Sequence, residues 1–197
     1  LCDAASMEFS RDIEMMKGGY EDSFYMQLIK NVRAYKGTPS ESKAFSKSID
    51  ISGGLKQWED VTNVYRAIGT ASYGRNSTDC AGQSKYVMEA PRNNLQEIRV
   101  THDQENIYFY IRAEKEITGS GANWMNIFIG TGSPSLKGWE GYEYVINRSV
   151  NGSTGSIERL KEDYTGESVG EARLVQSGEY LFVEIPRSAI GLAGSAE

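Results

Sequence analysis

The sequence predicts an all-β fold, an antiparallel β-sandwich, preceded by an N-terminal segment that carries one amphipathic helix. Three observations lead there. From Ser48 onward, short stretches alternate apolar and polar residues with a period of two. Gly-, Ser- and Asn-rich loops divide them, and no helical pattern lies between them to supply the crossovers of a parallel sheet. At 197 residues, 39% of them hydrophobic, the chain can bury a core without disulfide staples.

Residues 22–36 hold the strongest helical pattern. Phe24, Tyr25, Leu28, Ile29, Val32 and Tyr35 recur along one face. Asp22 or Ser23 suits the N-cap, Gly37 the residue after the last turn, and Lys30, Arg33 and Lys36 the negative end of the helix dipole. A polar link, Thr38 to Lys47, follows. The expected division is therefore residues 1–47, the tail of a preceding domain, and residues 48–197, the sandwich.

The strands are expected in order. Leu95 to Asp103 and Asn106 to Glu114 form a hairpin, with Ile107, Phe109 and Ile111 facing away from Tyr108 and Tyr110. Trp124 to Thr131 sets Met125, Ile127 and Ile129 against Trp124 and Phe128. Tyr142 to Arg148 sets Tyr142, Tyr144 and Ile146 against Glu143, Val145 and Asn147. Ser156 to Lys161, Glu171 to Gln176 and Glu179 to Ile185 complete the set, the last two joined at Ser177-Gly178.

Composition excludes several classes of function. Lys and Arg number 21 against 27 Asp and Glu, a net charge of −6, whereas phosphate recognition needs a basic face; a nucleic-acid partner is not expected. No apolar run approaches the roughly 20 residues of a membrane span. His102 is the sole imidazole, so multi-histidine metal sites are absent and a Ser-His-Asp triad would have to be built on it. It stands where Val100 to Asn106 reads as a hairpin turn, and an exposed turn histidine is expected. Cys2 lies at the extreme terminus, which favours two free thiols over a Cys2–Cys80 disulfide. The sequons at Asn76, Asn147 and Asn151 carry little weight, since such tripeptides arise by chance. The chain opens without Met or a leader pattern and closes on small residues, and it is expected to be a piece of a longer polypeptide.

Catalytic machinery is not legible. Glu59, Asp60, Glu140 and Glu143 are carboxylates of the type a glycosidase pairs, yet spacing alone brings no two of them into one cleft. The aromatics are more suggestive. Trp58, Trp124, Trp139 and the twelve Tyr offer flat faces on which the C–H patches of sugar rings stack, with Asn, Asp, Arg and Glu for the hydroxyls. Trp58 and Trp124 sit beside strand-like apolar residues and suit a core. Trp139, in Gly138-Trp139-Glu140-Gly141-Tyr142, suits core and ligand contact equally.

A set of ordered motifs carries a family resemblance. Trp58-Glu59-Asp60-Val61 with Tyr65, Arg75, Tyr86, Arg92-Asn93-Asn94, Asp103 to Arg112, Asn123 to Ile129, Gly138 to Arg148, and Glu184-Ile185-Pro186-Arg187 with Ile190-Gly191-Leu192 follow one another. Over residues 49–192 the chain resembles the sandwich modules related to family 9 carbohydrate-binding modules. Phe9 to Glu14 and Tyr25 to Gly37 are similar to the end of a glycosidase-like region that precedes such modules. The resemblance implies a jelly-roll sandwich. It implies a non-catalytic role in a secreted, cell-surface or periplasmic protein, holding carbohydrate beside an attached hydrolase. On that reading Trp139 and Tyr142 stack on sugar, and Arg92, Glu140 and Asn147 are polar partners. No catalytic residue and no cofactor is expected beyond a structural calcium of the kind some relatives carry. A sandwich that only packs on an adjacent hydrolase domain, its aromatics in the core, is the alternative.

Overall fold

A computed structural model describes residues 46–67, 92–121, 124–132 and 138–193, the backbone of 75–78 and 85–88, and positions 28, 31, 32 and 35. By its internal contacts the chain divides into two compact units, Leu1–Lys43 with Tyr73–Ala90, and Ala44–Ser72 with Pro91–Glu197. In the first, Leu28, Asn31, Val32 and Tyr35 are helical and exposed, and the remainder of the expected 22–36 helix lies outside the described residues. The same unit holds a hairpin of Arg75–Thr78 and Lys85–Met88, with Arg75 opposite Met88. Cys2, Cys80 and the Asn76 side chain lie outside the described residues.

The second unit is all-β. Numbering the described strands in chain order, with the hairpin above as β2 and β3, it contains β1 (Val64–Arg66), β4 (Leu95–His102), β5 (Asn106–Ala113) and β6 (Ile127–Ile129). β7 (Tyr144–Asn151), β8 (Thr154–Leu160), β9 (Gly166–Ser177) and β10 (Tyr180–Pro186) follow. These eight strands bond into one continuous antiparallel sheet in the order β1-β4-β5-β10-β9-β8-β7-β6. Short 3₁₀ turns at Leu55–Trp58 and Arg187–Ile190 flank it.

The period-two pattern explains the two faces of the sheet. One face collects Ile111 and Ala113 of β5, Ile146 of β7, Ile157 of β8, Leu174 of β9 and Leu181, Val183 and Ile185 of β10, packed with Trp124 and Ile190. The other face at β5 and β10 carries Tyr108, Tyr110 and Phe182, covered by Ile49, Ile51, Trp58 and Val61 from the segment before β1. Trp58 closes this layer, its ring centroid 5.6 Å from Tyr110 and 6.1 Å from Phe182. Arg99 fastens the segment down. Its Nη1 donates to the Trp58 carbonyl at 2.7 Å and its Nε to Glu97 at 2.7 Å, while Glu97 also takes Arg66 at 3.0 Å.

Several expectations shift in detail. The β9–β10 loop is Gly178-Glu179, not Ser177-Gly178, because Tyr180 pairs with Ser177 and Gly178 takes the left-handed φ of 58°. Trp124 does not share a face with Phe128. Met125 adopts a φ of 47°, which breaks the alternation and turns Trp124 into the core, where its indole donates to the Thr118 carbonyl at 2.7 Å. His102 ends β4, half-buried, with Nδ1 3.3 Å from the Asp103 carbonyl, so it is a strand-end residue rather than an exposed turn one. The turn after it is built by Asp103, whose Oδ1 accepts the N–H groups of Glu105 and Asn106 at 2.8 Å each.

Candidate functional site

At the far end of the sheet, β6, β7 and β8, the face that Trp58 covers elsewhere carries a different aromatic group. Phe128 of β6 lies opposite Val145 of β7, which lies opposite Glu158 of β8. Over this row stand Trp139 and Tyr142 from the loop before β7 and Tyr164 from the loop after β8. The Phe128 ring is 5.6 Å from Trp139, 5.7 Å from Tyr142 and 6.4 Å from Tyr164. Trp139 and Tyr164 approach to 4.8 Å. Most of these rings are steeply inclined, by 43° for Phe128–Trp139, 55° for Phe128–Tyr142 and 58° for Trp139–Tyr164. They therefore form a faceted group and not a flat platform.

Local sequence explains each placement. Glu140 and Gly141 take φ values of 51° and 85°, and the Tyr142 N–H closes on the Trp139 carbonyl at 2.9 Å. This tight turn with two left-handed residues sets Trp139 and Tyr142 side by side. Gly138 has no alternative there, since a Cβ on it would run into the Tyr142 backbone. Glu143 ties the neighbouring loop down. Its carboxylate is buried and accepts the Thr131 N–H at 2.5 Å.

Tyr164 is itself left-handed, at φ 68°, which a bulky L-residue adopts only at a cost of about 1–2 kcal/mol. Arg148 offsets that strain. Its guanidinium lies 4.2 Å from the Tyr164 ring centroid, donates to the Tyr164 carbonyl at 3.0 Å, and pairs with Glu158 at 3.0 Å. The Asp163 carboxylate accepts the Thr165 hydroxyl at 2.6 Å and its N–H at 3.0 Å; these bonds, with the Lys161 charge nearby, hold it below its usual pKa.

The sequence-derived candidates fall in different places. Trp139, Glu140 and Tyr142 share the one turn, with Trp139 half-buried and Tyr142 43% exposed. Asn147 is 1% exposed; its Nδ2 donates inward to the Met125 carbonyl at 3.3 Å. Arg92 is exposed, and its Nε donates to the Thr118 hydroxyl at 3.1 Å, a contact outside the aromatic group. Trp58 and Trp124 are each 2% exposed, as core residues are. Phe128, Arg148 and Tyr164 belong to the group although sequence reading did not single them out as site residues. The available signal was an aromatic in the polar turn Asp163-Tyr164-Thr165-Gly166, an unusual residue for that setting.

Glu59 and Asp60 lie in the turn after the Leu55–Trp58 helix, where Asp60 pairs with Lys47 at 2.6 Å. Among the described residues no group of three or more His, Cys, Asp or Glu side chains is placed to hold a metal ion. Among them, too, no helix is long and apolar enough to cross a membrane. Comparisons with family models, curated proteins and solved structures give no match to this chain.

Proposed function

We propose that residues 48–197 form a non-catalytic carbohydrate-binding module, a jelly-roll sandwich akin to the family 9 modules. On this reading it belongs to a secreted multidomain glycan-degrading protein. The observation that carries the proposal is the faceted aromatic group of Phe128, Trp139, Tyr142 and Tyr164, with Tyr142 and Tyr164 43% and 38% exposed on a sheet face whose other half is sealed. Large aromatics held in place by neighbours yet open to solvent lose little entropy when a sugar stacks on them. Tyr hydroxyls, the Trp139 indole N–H and the Glu140 carboxylate supply polar edges for the sugar hydroxyls.

Affinity electrophoresis across plant, microbial and host glycans, followed by calorimetry on any glycan that retards the chain, tests this. Retardation that Trp139→Ala abolishes is the expected result. Clean negatives across the panel would overturn the proposal in favour of a sandwich that docks its aromatic group on an adjacent hydrolase domain.

A further inference from the structure

We propose that Asn151 is a self-modifying site, at which the main chain of Gly152 converts the asparagine to aspartate and isoaspartate without an enzyme. The step needs only the chain and water. The Gly152 backbone nitrogen gives its proton to solvent base and attacks Cγ of Asn151. The carboxamide C–N bond breaks, the departing nitrogen takes up a proton and leaves as ammonia, and a succinimide ring remains. Water then opens the ring at one carbonyl or the other, giving aspartate or isoaspartate. Nothing is oxidised or reduced, and the chemistry holds whatever the aromatic group binds.

The reaction asks for a following residue with no side chain in the way, a backbone nitrogen outside hydrogen bonds, and a carboxamide free to turn. The sequence has one Asn-Gly pair, Asn151-Gly152. It stands at the tip of the β7–β8 hairpin, where Asn151 pairs with Thr154 and Gly152-Ser153 is the loop, all three of Asn151, Gly152 and Ser153 exposed. Gly152 takes a φ of 58°, which suits the first residue of a two-residue loop, and the space where a Cβ would sit is open, with nothing within 4 Å. Among the described residues neither the Gly152 N–H nor the Asn151 carboxamide has a hydrogen-bond partner; the Asn151 side of the turn is held through its carbonyl, which accepts the Thr154 hydroxyl at 3.0 Å.

Other asparagines are committed. Asn147 is buried and donates to the Met125 carbonyl at 3.3 Å, Asn94 donates to Glu114 at 3.0 Å, and Asn93 accepts the Thr118 N–H at 2.9 Å. The tip, by contrast, is lightly anchored. Pairing between β7 and β8 is irregular from Ile146 to Val150, so the pairs Val150–Gly155 and Asn151–Thr154 hold the end of β7. The bond from the Leu174 N–H to the Ser153 carbonyl, at 2.7 Å, lies beyond the reacting peptide. Bringing the carboxamide onto the Gly152 nitrogen therefore takes a local opening of two pairs and not global unfolding. Either product adds one negative charge, taking the net charge from −6 to −7. Isoaspartate also threads an extra carbon through the main chain at the last pair of β7.

The test incubates the whole chain for days at mildly alkaline pH, folded and in urea, and follows it by isoelectric focusing, peptide mapping and enzymatic methylation of isoaspartate. Both products should appear at position 151, in the folded chain at a rate within about tenfold of that in urea, because a local opening suffices. Asn93, Asn94 and Asn147 should stay intact while the chain is folded. Asn151→Gln should remove the new acidic band. Gly152→Ala should slow the conversion in urea, where the left-handed φ imposes no strain. An Asn151 that survives in the folded chain while converting in urea would overturn the proposal, since the hairpin would then lock the site. Aspartate without isoaspartate would overturn the succinimide route.

Discussion

The carboxamide oxygen of Asn147 occupies the place where a Cβ on Gly155 would sit. Asn147 lies in the irregular stretch of β7 between Ile146 and Val150, at φ 66°, and turns its side chain inward over β8. That contact sets where β7 bends, and Arg148, the next residue, is thereby presented to Tyr164. Gly155→Ala should cost about 1–3 kcal/mol through overpacking. Asn147→Gly should cost about 1 kcal/mol, losing the bond to Met125 while easing the left-handed backbone. Combined, the two should cost less than their sum, because removing the carboxamide makes room for the methyl group. Urea unfolding of the four members of the cycle measures this. Simple additivity would show that the two side chains do not compete for one space.

Arg148 and Tyr164 form a second coupled pair. Arg148→Ala removes the stacked guanidinium, one hydrogen bond to the Tyr164 carbonyl and the partner of Glu158. The left-handed Tyr164 should then relax, and the tyrosine ring should leave Trp139. Arg148→Lys keeps the charge but not the flat face or the fork, and should rescue little. Tryptophan fluorescence with the Tyr164→Phe and Arg148→Ala variants reads the loosening directly. Affinity for any retained glycan should fall several-fold in Arg148→Ala and Arg148→Lys alike. Full rescue by lysine would reduce the role of Arg148 to its charge.

The sheet was legible in the sequence wherever its two faces differ in kind, aliphatic on one side and aromatic or polar on the other. β4, β5 and β10 alternate cleanly, and their two sets of side chains separate onto two faces, Ile107 and Ile111 from Tyr108 and Tyr110. It was less legible along Tyr144 to Asn147, where four successive residues are buried and each face mixes residue kinds, Tyr144 with Ile146 and Val145 with Asn147. The site divides in the same manner. Trp139 and Tyr142 were visible because glycines bracket them in one short turn. Phe128, Arg148 and Tyr164 reach them only through the lateral order β6-β7-β8, which no local pattern encodes. Asn147 looked like a polar strand residue free to meet a ligand, and its left-handed backbone, which reverses its direction, has no signature in composition.

Acid should weaken the β4–β5 hairpin first. Burial alone would raise the pKa of Asp103, but the Tyr108 hydroxyl at 2.6 Å, the N–H groups of Asn106 and Glu105 and the Ser48 hydroxyl together bring it down to about 2. In the unfolded chain the same carboxyl titrates near 3.8, so the unfolded state takes up the proton first. The stabilisation from Asp103 is therefore present above about pH 4 and is lost as pH falls toward 2. Asp103→Asn should lower stability at neutral pH and flatten the dependence below pH 4. The slope that remains should come from Glu97, Asp60, Asp163 and Glu167, whose carboxyls are also held low. Urea midpoints at pH 7 and pH 3 for both chains check this; an unchanged acid slope would remove Asp103 from the account.

Gly138 separates the fold from the site. A Cβ there collides with the Tyr142 backbone, so Gly138→Ala must displace the turn that carries Trp139 and Tyr142. Both aromatics lie outside the buried core, whose residues come from β5, β7, β8, β9 and β10 with Ile117, Trp124 and Ile190. The variant should lose about 1–3 kcal/mol, the range for a forced local shift, and keep its cooperative unfolding. Its loss of glycan affinity should equal or exceed that of Trp139→Ala, because it misplaces two rings where the other removes one. Calorimetric titration of both variants with the same glycan, beside a urea melt of each, gives the comparison. If Gly138→Ala binds like the parent chain, the spacing of Trp139 and Tyr142 is not what holds the ligand.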